Sequence, residues 1–117
     1  MYSICKRFDF EASHQLSGLP VGHQCSRLHG HSYRVWLTLE SKALDATGFV
    51  VDFGALGDFK RWVDQTLDHR HLNDVMPANP TCENLARFIF DTWQEAIPQL
   101  TAVRVSETEK TWGEYRP

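Results

Sequence analysis

Apolar and polar side chains alternate along two segments in the first third of the chain. Between Tyr2 and His14 the even positions are mostly apolar and the odd positions mostly polar, and a similar alternation runs from His31 to Ser41. A period of two is typical of strands that bury one face. His14 and His31 both fall on the apolar side of the pattern. The pattern therefore predicts two strands that each direct a histidine toward the core.

Two helices are predicted in the middle of the chain. Asp52 is a suitable N-cap, and apolar residues recur at helical spacing from Phe53 to Leu67. Thr81 is predicted to cap a second helix, which Pro98 ends. The apolar stripe of this second helix consists of Leu85, Phe88, Ile89, Trp93 and Ile97.

Two further strands are predicted after the helices, at Leu100–Thr108 and Lys110–Tyr115. In the first of them, one face carries Thr101, Val103, Val105 and Glu107. Strands and helices that are kept apart along the chain favour an α+β fold. We therefore expect a four-stranded antiparallel sheet with two helices packed on one face, in the order ββααββ.

Length and composition limit the classes of protein to which the chain can belong. At 117 residues it is expected to form a single domain, residues 1–117. Its three cysteines are odd in number and widely spaced, which favours a reducing compartment. No secretory signal and no apolar stretch of the ~20 residues of a membrane span is found, so we expect a cytoplasmic protein without a membrane partner. A net charge of −3 with scattered Lys and Arg does not support a nucleic-acid binder.

Three histidines and one cysteine form the main candidate site. Cys25, His29 and His31 lie within seven residues. In an extended chain the side chains at i and i+2 point the same way, roughly 6.5 to 7 Å apart at the backbone, so both histidines can reach one ion. His14, from another strand, would complete the set. Three nitrogen ligands with an open position are the pattern of a catalytic zinc site.

The sequence leaves two roles open for Cys25. As a fourth ligand it would close the site and make it structural. As a free thiol beside a divalent cation it would favour the thiolate, the form that acts as base or nucleophile. The tripeptide around Gly30 is also compatible with a solvated histidine pair in a turn, although a glycine there suits a backbone that passes close to a ligand or turns sharply. His23 and His71 are interpreted as loop and helix-end residues.

Two further groups suggest proton transfer and ligand recognition. Asp68 and His69 follow the first helix, and an imidazole held by a carboxylate can exchange a proton near neutral pH. An exposed helix C-cap is the alternative. Glu107 continues the apolar face of its strand, and a carboxylate directed toward a core is costly unless it is paired. It is either an acceptor for the paired N–H donors of a 2-aminopyrimidinone ring or a strand-end residue that reaches water.

Six short motifs occur in order along nearly the whole chain. They are Phe10-Glu-Ala-Ser-His14, Cys25-x3-His29-Gly-His31, Val51-Asp-Phe53, Leu67-Asp-His69-x2-Leu72-Asn73, Asn79-Pro-Thr81-x-Glu83 and Val105-x-Glu107-Thr108. In this order and spacing the set resembles the 6-pyruvoyltetrahydropterin synthase superfamily. The close spacing of the cysteine to His-Gly-His resembles the bacterial 6-carboxytetrahydropterin synthase branch, which serves queuosine biosynthesis. The pyruvoyl-forming branch places its cysteine further from His-Gly-His.

The resemblance implies a metal centre and a proton-transfer apparatus. It implies a zinc ion bound by His14, His29 and His31. It implies Cys25 as the catalytic base, with Asp68 and His69 as the proton-transfer pair.

The resemblance also implies a binding site for a pterin triphosphate. Glu107 would anchor the pterin ring, assisted by Thr81 and Glu83. The basic residues that hold the triphosphate are not marked by any motif, and Arg27 and Lys6 are the candidates.

The implied reaction converts 7,8-dihydroneopterin triphosphate to 6-carboxy-5,6,7,8-tetrahydropterin, acetaldehyde and triphosphate. A pyruvoyl-forming or sepiapterin-cleaving enzyme of the same fold is one alternative, and a non-catalytic zinc- or pterin-binding protein is another. Binding alone would not require the proton-transfer pair, which disfavours the non-catalytic alternative. The family builds trimers that pair into hexamers, so the resemblance implies a homo-oligomer whose sheets close into a barrel with active sites at subunit contacts.

Overall fold

One five-stranded sheet runs through the computed structural model, which describes residues 1–117. Its strands are β1 (Tyr2–His14), β2 (His29–Ser41), β3 (Arg70–His71), β4 (Leu100–Thr108) and β5 (Thr111–Tyr115). In space they follow the order β3-β1-β2-β4-β5. Neighbouring strands are antiparallel except for β3, which lies parallel to β1. The sheet is therefore mixed.

The predicted α+β class is confirmed, but the predicted four-stranded antiparallel sheet is wrong. The two-residue strand β3 pairs with Ala12 and Ser13 and adds a fifth, parallel strand. Two residues carry no periodicity, so no sequence pattern marks this strand. β2 begins at His29 instead of His31, which places both histidines of the His-Gly-His tripeptide inside the strand.

The pairing of β1 with β2 sets the geometry of the histidines. Phe8 lies opposite Val35 on the buried face, and at the far end of the pair His14 lies opposite His29. A slip of one residue would move every apolar side chain of a strand to the solvent face. The apolar positions of the hairpin therefore also hold its histidines in register.

The predicted inner face of β4 is confirmed except at its first position. Val103 and Val105 are fully buried, and Glu107 follows them on the same face. A register shift between β2 and β4 places Thr101 in a bulge, where its hydroxyl donates to the Glu40 carboxylate at 2.7 Å. Thr101 is thus not part of that face.

The segment predicted as the first helix is helical throughout but not uniform. It consists of a 3-10 turn at Phe53–Leu56, helix α1 at Gly57–Trp62 and a π-helical turn at Val63–Leu67. The Asp52 carboxylate accepts a hydrogen bond from the N–H of Gly54 at 2.9 Å, which confirms the predicted N-cap. The π turn ends the helix, and Asp68 is the C-cap.

Helix α2 spans Cys82–Trp93. The hydroxyl of Thr81 accepts from the N–H of Asn84 at 3.1 Å, as the predicted cap requires. The helix ends at Trp93, before the Pro98 that was expected to end it, because the following residues form a separate turn.

Both helical segments pack on the same face of the sheet. One cluster of 21 buried residues joins them to the inner faces of β1, β2 and β4. Truncating a fully buried member such as Ile89 to alanine would cost about 2–5 kcal/mol. His14, fully buried, stands at the end of this core, so the candidate site is built on its packed part. None of the helices has both the length and the apolar character that crossing a membrane requires.

Candidate active site

Three imidazole rings meet at the end of the β1–β2 pair. His14 faces His29 directly across the strands, and His31 pairs with Ala12 one pleat further along the same face. The ring centroids lie 4.5 Å apart for His14 and His29, 5.0 Å for His14 and His31, and 4.9 Å for His29 and His31. The predicted facial arrangement of the three histidines is therefore present in the fold.

Backbone carbonyls determine which nitrogen of two of these rings carries the proton. Nδ1 of His14 lies 2.8 Å from the carbonyl oxygen of Pro80, and Nδ1 of His29 lies 2.6 Å from that of Arg27. A carbonyl oxygen can only accept, so both Nδ1 atoms are the donors and both Nε2 atoms of the neutral rings have a free lone pair. These orienting contacts are the kind that metal-binding histidines make with their second nitrogen.

The free nitrogens converge at a distance that fits one cation. Nε2 of His14 lies 2.9 Å from Nε2 of His29 and 3.1 Å from Nε2 of His31. Since neither of the first two nitrogens has a proton to donate, their approach is not a hydrogen bond. Two nitrogens bound to a tetrahedral zinc at about 2.0–2.1 Å lie about 3.3–3.4 Å apart. The three histidines form a group that could hold a metal ion, and their donor set and spacing suit zinc.

Gly30 is required by the close approach of the two strands. A Cβ atom on this residue would lie 3.3 Å from the backbone oxygen of Ala12, which is tighter than ordinary van der Waals contact. Glycine thus lets β2 pass near β1 while the flanking histidines share one face. The sequence suggested a ligand or a sharp turn at this glycine, whereas the close neighbour is the backbone of β1.

Two asparagine side chains hold the chain that follows His14. The amide of Asn73 accepts from the N–H of Gln15 at 2.9 Å and donates to its carbonyl at 2.8 Å. The amide of Asn79 makes the same pair of contacts with Ser17, each at 3.0 Å. Each amide bonds to both the N–H and the C=O of one residue, as a neighbouring strand would. No sequence pattern assigns either residue a role, because these partners are 58 and 62 positions apart.

Cys25 lies in the loop between β1 and β2, half-buried. Its N–H donates to Nδ1 of His23 at 3.0 Å, and its carbonyl accepts from the N–H of Leu16 at 3.0 Å. His23 is therefore the cap of the short 3-10 turn that carries Cys25, a more specific role than the predicted loop residue. Cys25 does not belong to the group of close metal-binding atoms, which favours a thiol beside the metal over a fourth ligand.

A cavity of about 270 Å³ connects this cysteine to the histidines. Its lining consists of Gln24, Cys25, His29 and His31. The cavity supplies the open side that a three-ligand site needs for a substrate.

Asp68 and His69 form a pair at the end of the first helical segment. Oδ2 of Asp68 accepts from Nδ1 of His69 at 2.9 Å, so these adjacent side chains do face each other. The N–H of Glu11 donates to the other carboxylate oxygen at 2.9 Å. This backbone hydrogen bond, followed by the one from His69, holds the pKa of Asp68 below its ordinary value. The carboxylate therefore stays ionised and orients the ring.

The backbone at His69 is strained. Its φ angle is 56°, in the left-handed region that residues other than glycine rarely adopt, and no other non-glycine residue has a positive φ. The N–H of His69 donates to the carbonyl of Glu11 at 2.6 Å, which holds the residue in place. Strain of this kind clusters at functional sites, where the surroundings enforce it.

Within one chain, Cys25 and His69 do not share a cavity. His69 lines a separate cavity of about 470 Å³ together with His31, Arg70 and His71. His31 belongs to both cavities, so the histidine cluster stands between them. His71 lies in β3, where Nδ1 is 3.0 Å from the Ser13 hydroxyl. It is also the N-cap of the 3-10 turn Leu72–Asp74, so it does stand at the end of a helical turn.

The carboxylate of Glu107 stands beside the histidine cluster. Its Oε2 lies 3.1 Å from Nε2 of His31, and its Oε1 accepts from the thiol of Cys82 at 3.3 Å. Burial lowers the pKa of His31, although the negative charge of Glu107 opposes that effect. The imidazole and the carboxylate thus influence each other at the edge of the histidine cluster.

The remaining predicted site residues differ in their surroundings. Thr81 uses its hydroxyl as the cap of α2, and Glu83 is exposed in the first turn of that helix. Arg27 is exposed next to the loop cavity, where its carbonyl holds His29. Lys6 lies on β1 eight residues before His14, about 26 Å away at strand rise, so it cannot reach the histidine cluster of its own chain.

Comparison with known proteins agrees with the motifs. The family model described as 6-pyruvoyl tetrahydropterin synthase matches residues 3–117. The chain is 41% identical to the 6-carboxy-5,6,7,8-tetrahydropterin synthase of Synechocystis sp., over 98% of this chain and 93% of the relative. It is 33% identical to the Bacillus subtilis protein of the same name, over 99% of this chain and 86% of the relative.

A solved structure shows the same fold. The 6-pyruvoyl tetrahydropterin synthase of Caenorhabditis elegans matches with a TM-score of 0.86 at 24% identity, over 99% of this chain and 95% of that one. The predicted resemblance is thus confirmed across nearly the whole sequence, and the names of the curated relatives support a tetrahydropterin synthase. The chain belongs to the 6-pyruvoyl tetrahydropterin synthase family.

Proposed function

We propose that this protein is a zinc-dependent lyase that converts 7,8-dihydroneopterin triphosphate to 6-carboxy-5,6,7,8-tetrahydropterin, acetaldehyde and triphosphate. The observation that carries the proposal is the convergence of three imidazole nitrogens next to the carboxylate of Glu107. Together they suit a ligand that presents hydroxyls to a cation and ring N–H groups to a carboxylate. The shared name of the Synechocystis and Bacillus relatives supports this product over the pyruvoyl one.

His14, His29 and His31 are the proposed zinc ligands. Bound zinc supplies a Lewis acid that lowers the pKa of the hydroxyls on the substrate's side chain. The chain contributes the rigid placement of the three rings, two of them oriented by backbone carbonyls.

Glu107 is the proposed anchor of the pterin ring. A carboxylate can accept two parallel N–H bonds, and the N3–H and 2-amino groups of a pterin offer such a pair. Thr81 and Glu83 flank Cys82, which contacts this carboxylate, and we assign them to the same end of the ring pocket. Arg27 is the proposed contact for the triphosphate, because it is exposed beside the ligand His29.

Cys25 and His69 are the proposed proton-transfer groups. Cys25 lines the 270 Å³ cavity together with His29 and His31. There it would take a proton from a carbon of the substrate's side chain. Nδ1 of His69 is held by Asp68, which leaves Nε2 to exchange a proton on the other side. The charge that develops on the substrate's oxygens is then stabilised by the preorganised positive site.

We further infer that a complete site needs more than one chain. Cys25 and His69 lie on separate cavities of one chain, and no strand pairs with the outer edge of β1 between Tyr2 and Phe10. Pairing of that edge with another copy would extend the sheet toward a closed barrel. We therefore propose a homohexamer, built as a dimer of trimers, in which one site combines Cys25 of one subunit with His69 of another.

We propose that the reaction belongs to queuosine, or 7-deazapurine, biosynthesis, and that the protein acts in the cytoplasm as a single domain of residues 1–117. Product analysis tests the reaction directly. Zinc-loaded protein is incubated with 7,8-dihydroneopterin triphosphate, and the products are identified by mass spectrometry. Formation of 6-carboxytetrahydropterin with acetaldehyde supports the proposal. Formation of 6-pyruvoyltetrahydropterin would assign the protein to the activity named by the family model.

A further inference from the structure

Cys82 makes a contact that none of the roles above uses. It is the first residue of α2, and its thiol donates to Oε1 of Glu107 at 3.3 Å. The contact joins the start of a helix to the end of β4, through two residues that are 25 positions apart in sequence. It is part-buried, so water does not freely replace either partner. Cys82 thus bears directly on the orientation of the proposed ring anchor.

The position of Cys82 is set by the packing of α2 on β5. Gly113 of β5 has so little space that a Cβ atom would lie 3.1 Å from Cβ of Cys82 and 3.3 Å from the backbone nitrogen of Glu83. The first turn of α2 therefore rests against bare backbone. Such packing fixes the Cβ atom from which the thiol extends toward Glu107.

Cys82 is a donor at neutral pH. Burial, together with the nearby charge of Glu107, raises the pKa of the Cys82 thiol to about 12. A protonated thiol can donate to a carboxylate, whereas a thiolate would repel it. The thiol is correspondingly a poor nucleophile, in contrast to the role proposed for Cys25.

The two contacts of Glu107 leave each of its oxygens able to accept once more. Cys82 occupies one acceptor position on Oε1, and His31 lies beside Oε2. An ionised carboxylate has about four acceptor positions, and Cys82 takes one of them. Each oxygen therefore keeps at least one position for a ligand. Two parallel N–H groups of a planar ring require this pair at a fixed rotation of the carboxylate.

We propose that Cys82 is a positioning residue that sets the rotation of the Glu107 carboxylate for a ring with two adjacent N–H donors. The proposal rests on the proposed function, and it assigns a part of the ring specificity to a residue that does not touch the ring. Removing the donor frees the carboxylate to rotate, so one of the two ring hydrogen bonds weakens. A ring with only one N–H donor at Glu107 makes only one of the two hydrogen bonds, so loss of the Cys82 thiol should weaken its binding less.

The test compares two matched ligands that do not turn over. Neopterin carries both N–H donors, and the pteridine-2,4-dione with the same trihydroxypropyl side chain has an oxygen in place of the 2-amino group. Affinities are measured by fluorescence titration on the zinc-loaded wild-type protein and on Cys82→Ala, Cys82→Ser and Cys5→Ala. Cys5 is an exposed free cysteine on β1 and serves as the control. Zinc content is measured on every variant.

Cys82→Ala is expected to weaken neopterin binding about tenfold, which corresponds to about 1.4 kcal/mol, and to change dione binding less than about twofold. Cys82→Ser restores a donor and is expected to stay within about threefold of the wild type for both ligands. For turnover we expect the loss to fall on KM, with kcat and zinc content nearly unchanged.

The outcomes separate the inference from the proposed function. If the wild type binds neopterin and Cys82→Ala binds it equally well, the inference is wrong and the proposed function stands. Equal weakening of both ligands would also overturn it, because that pattern indicates general disruption of the pocket. If the wild type does not bind neopterin, the ring anchor fails and the inference fails with it. Should Cys82→Ala not fold, Cys82→Val takes its place as the variant without a donor.

Discussion

Nδ1 of His14 donates to the carbonyl oxygen of Pro80 at 2.8 Å, one residue before the cap of α2. The same ring presents Nε2 to the other two histidines. One imidazole thus connects the proposed metal centre to the start of the helix that carries the ring pocket. Occupancy of the centre and order at the start of α2 should therefore be coupled.

Zinc removal should lower the stability of the protein. A ligand present at about 1,000 times its Kd stabilises the folded state by about 4 kcal/mol, so a chelator is expected to lower Tm by several degrees. Hydrogen exchange should speed up most in the first turn of α2, because His14 holds the carbonyl of Pro80. Differential scanning fluorimetry and hydrogen exchange with and without chelator measure both effects. An unchanged Tm in a protein shown to lose its metal would contradict the coupling.

His31→Ala should abolish stoichiometric zinc binding, because two remaining histidines make a weak site for a metal that prefers four ligands. Metal content after dialysis measures the effect. His71→Ala is the matched control, since His71 contacts Ser13 and not the cluster. Equal zinc in both variants would show that the cluster is not the binding site.

Mixing two inactive variants should restore activity if the site is shared between chains. Cys25→Ala and His69→Ala are each expected to reduce turnover by at least about a hundredfold, in line with the loss of a general acid or base. Hexamers reassembled from both variants would contain some sites with an intact pair. Turnover of the mixture is compared with that of each variant treated alike. A mixture no more active than its components would argue that both groups act within one chain.

Gly30→Ala and Gly57→Ala should change stability in opposite directions. A Cβ at Gly30 would press on the backbone oxygen of Ala12 at 3.3 Å, which is expected to cost about 1–3 kcal/mol. A Cβ at Gly57, in α1, meets only the flexible end of Arg61 at 3.7 Å, and alanine there should add up to about 1 kcal/mol. Urea denaturation of both variants measures the two free energies of unfolding. A stable Gly30→Ala protein would mean that β1 and β2 can separate without cost.

The hydrogen bonds to Asp68 should make stability depend on pH in the acid range. Because the folded state lowers the pKa of this carboxyl, the stabilisation is fully present above the unfolded pKa and is lost as pH falls through the lower folded value. Asp68→Asn should therefore lower Tm at pH 7 and have a shrinking effect below about pH 4. Thermal melts of both proteins from pH 7 to pH 3 test the sign. A difference that grows on acidification would contradict it.

Much of the fold follows from periodicity in the sequence. The alternation along β1 and β2 predicts both strands and the inward direction of His14 and His31, and the face of Glu107 follows from Val103 and Val105. These features depend on neighbours within a few residues. The sequence therefore contains enough local information to predict them.

Other features depend on contacts between distant parts of the chain. The strand β3 has too few residues to show a period, and it forms only because β1 offers a free edge at Ala12. Asn73 and Asn79 have no local pattern that distinguishes them from loop asparagines. The contact of Cys82 with Glu107 requires the packing of α2 against β5, which no spacing in the sequence indicates.

The loop that carries Cys25 is fastened to β1 at its base. Leu16 donates its N–H to the carbonyl of Cys25 at 3.0 Å, and the side chain of Gln15 donates to the carbonyl of Ser26 at 2.9 Å. Residues 18–22 lie beyond these two contacts and beyond those of Ser17 and His23, so a change in their number is expected to leave the strands and their histidines in place. The tip of this loop is therefore the place where protein engineering can change the approach to Cys25 without disturbing the histidine cluster.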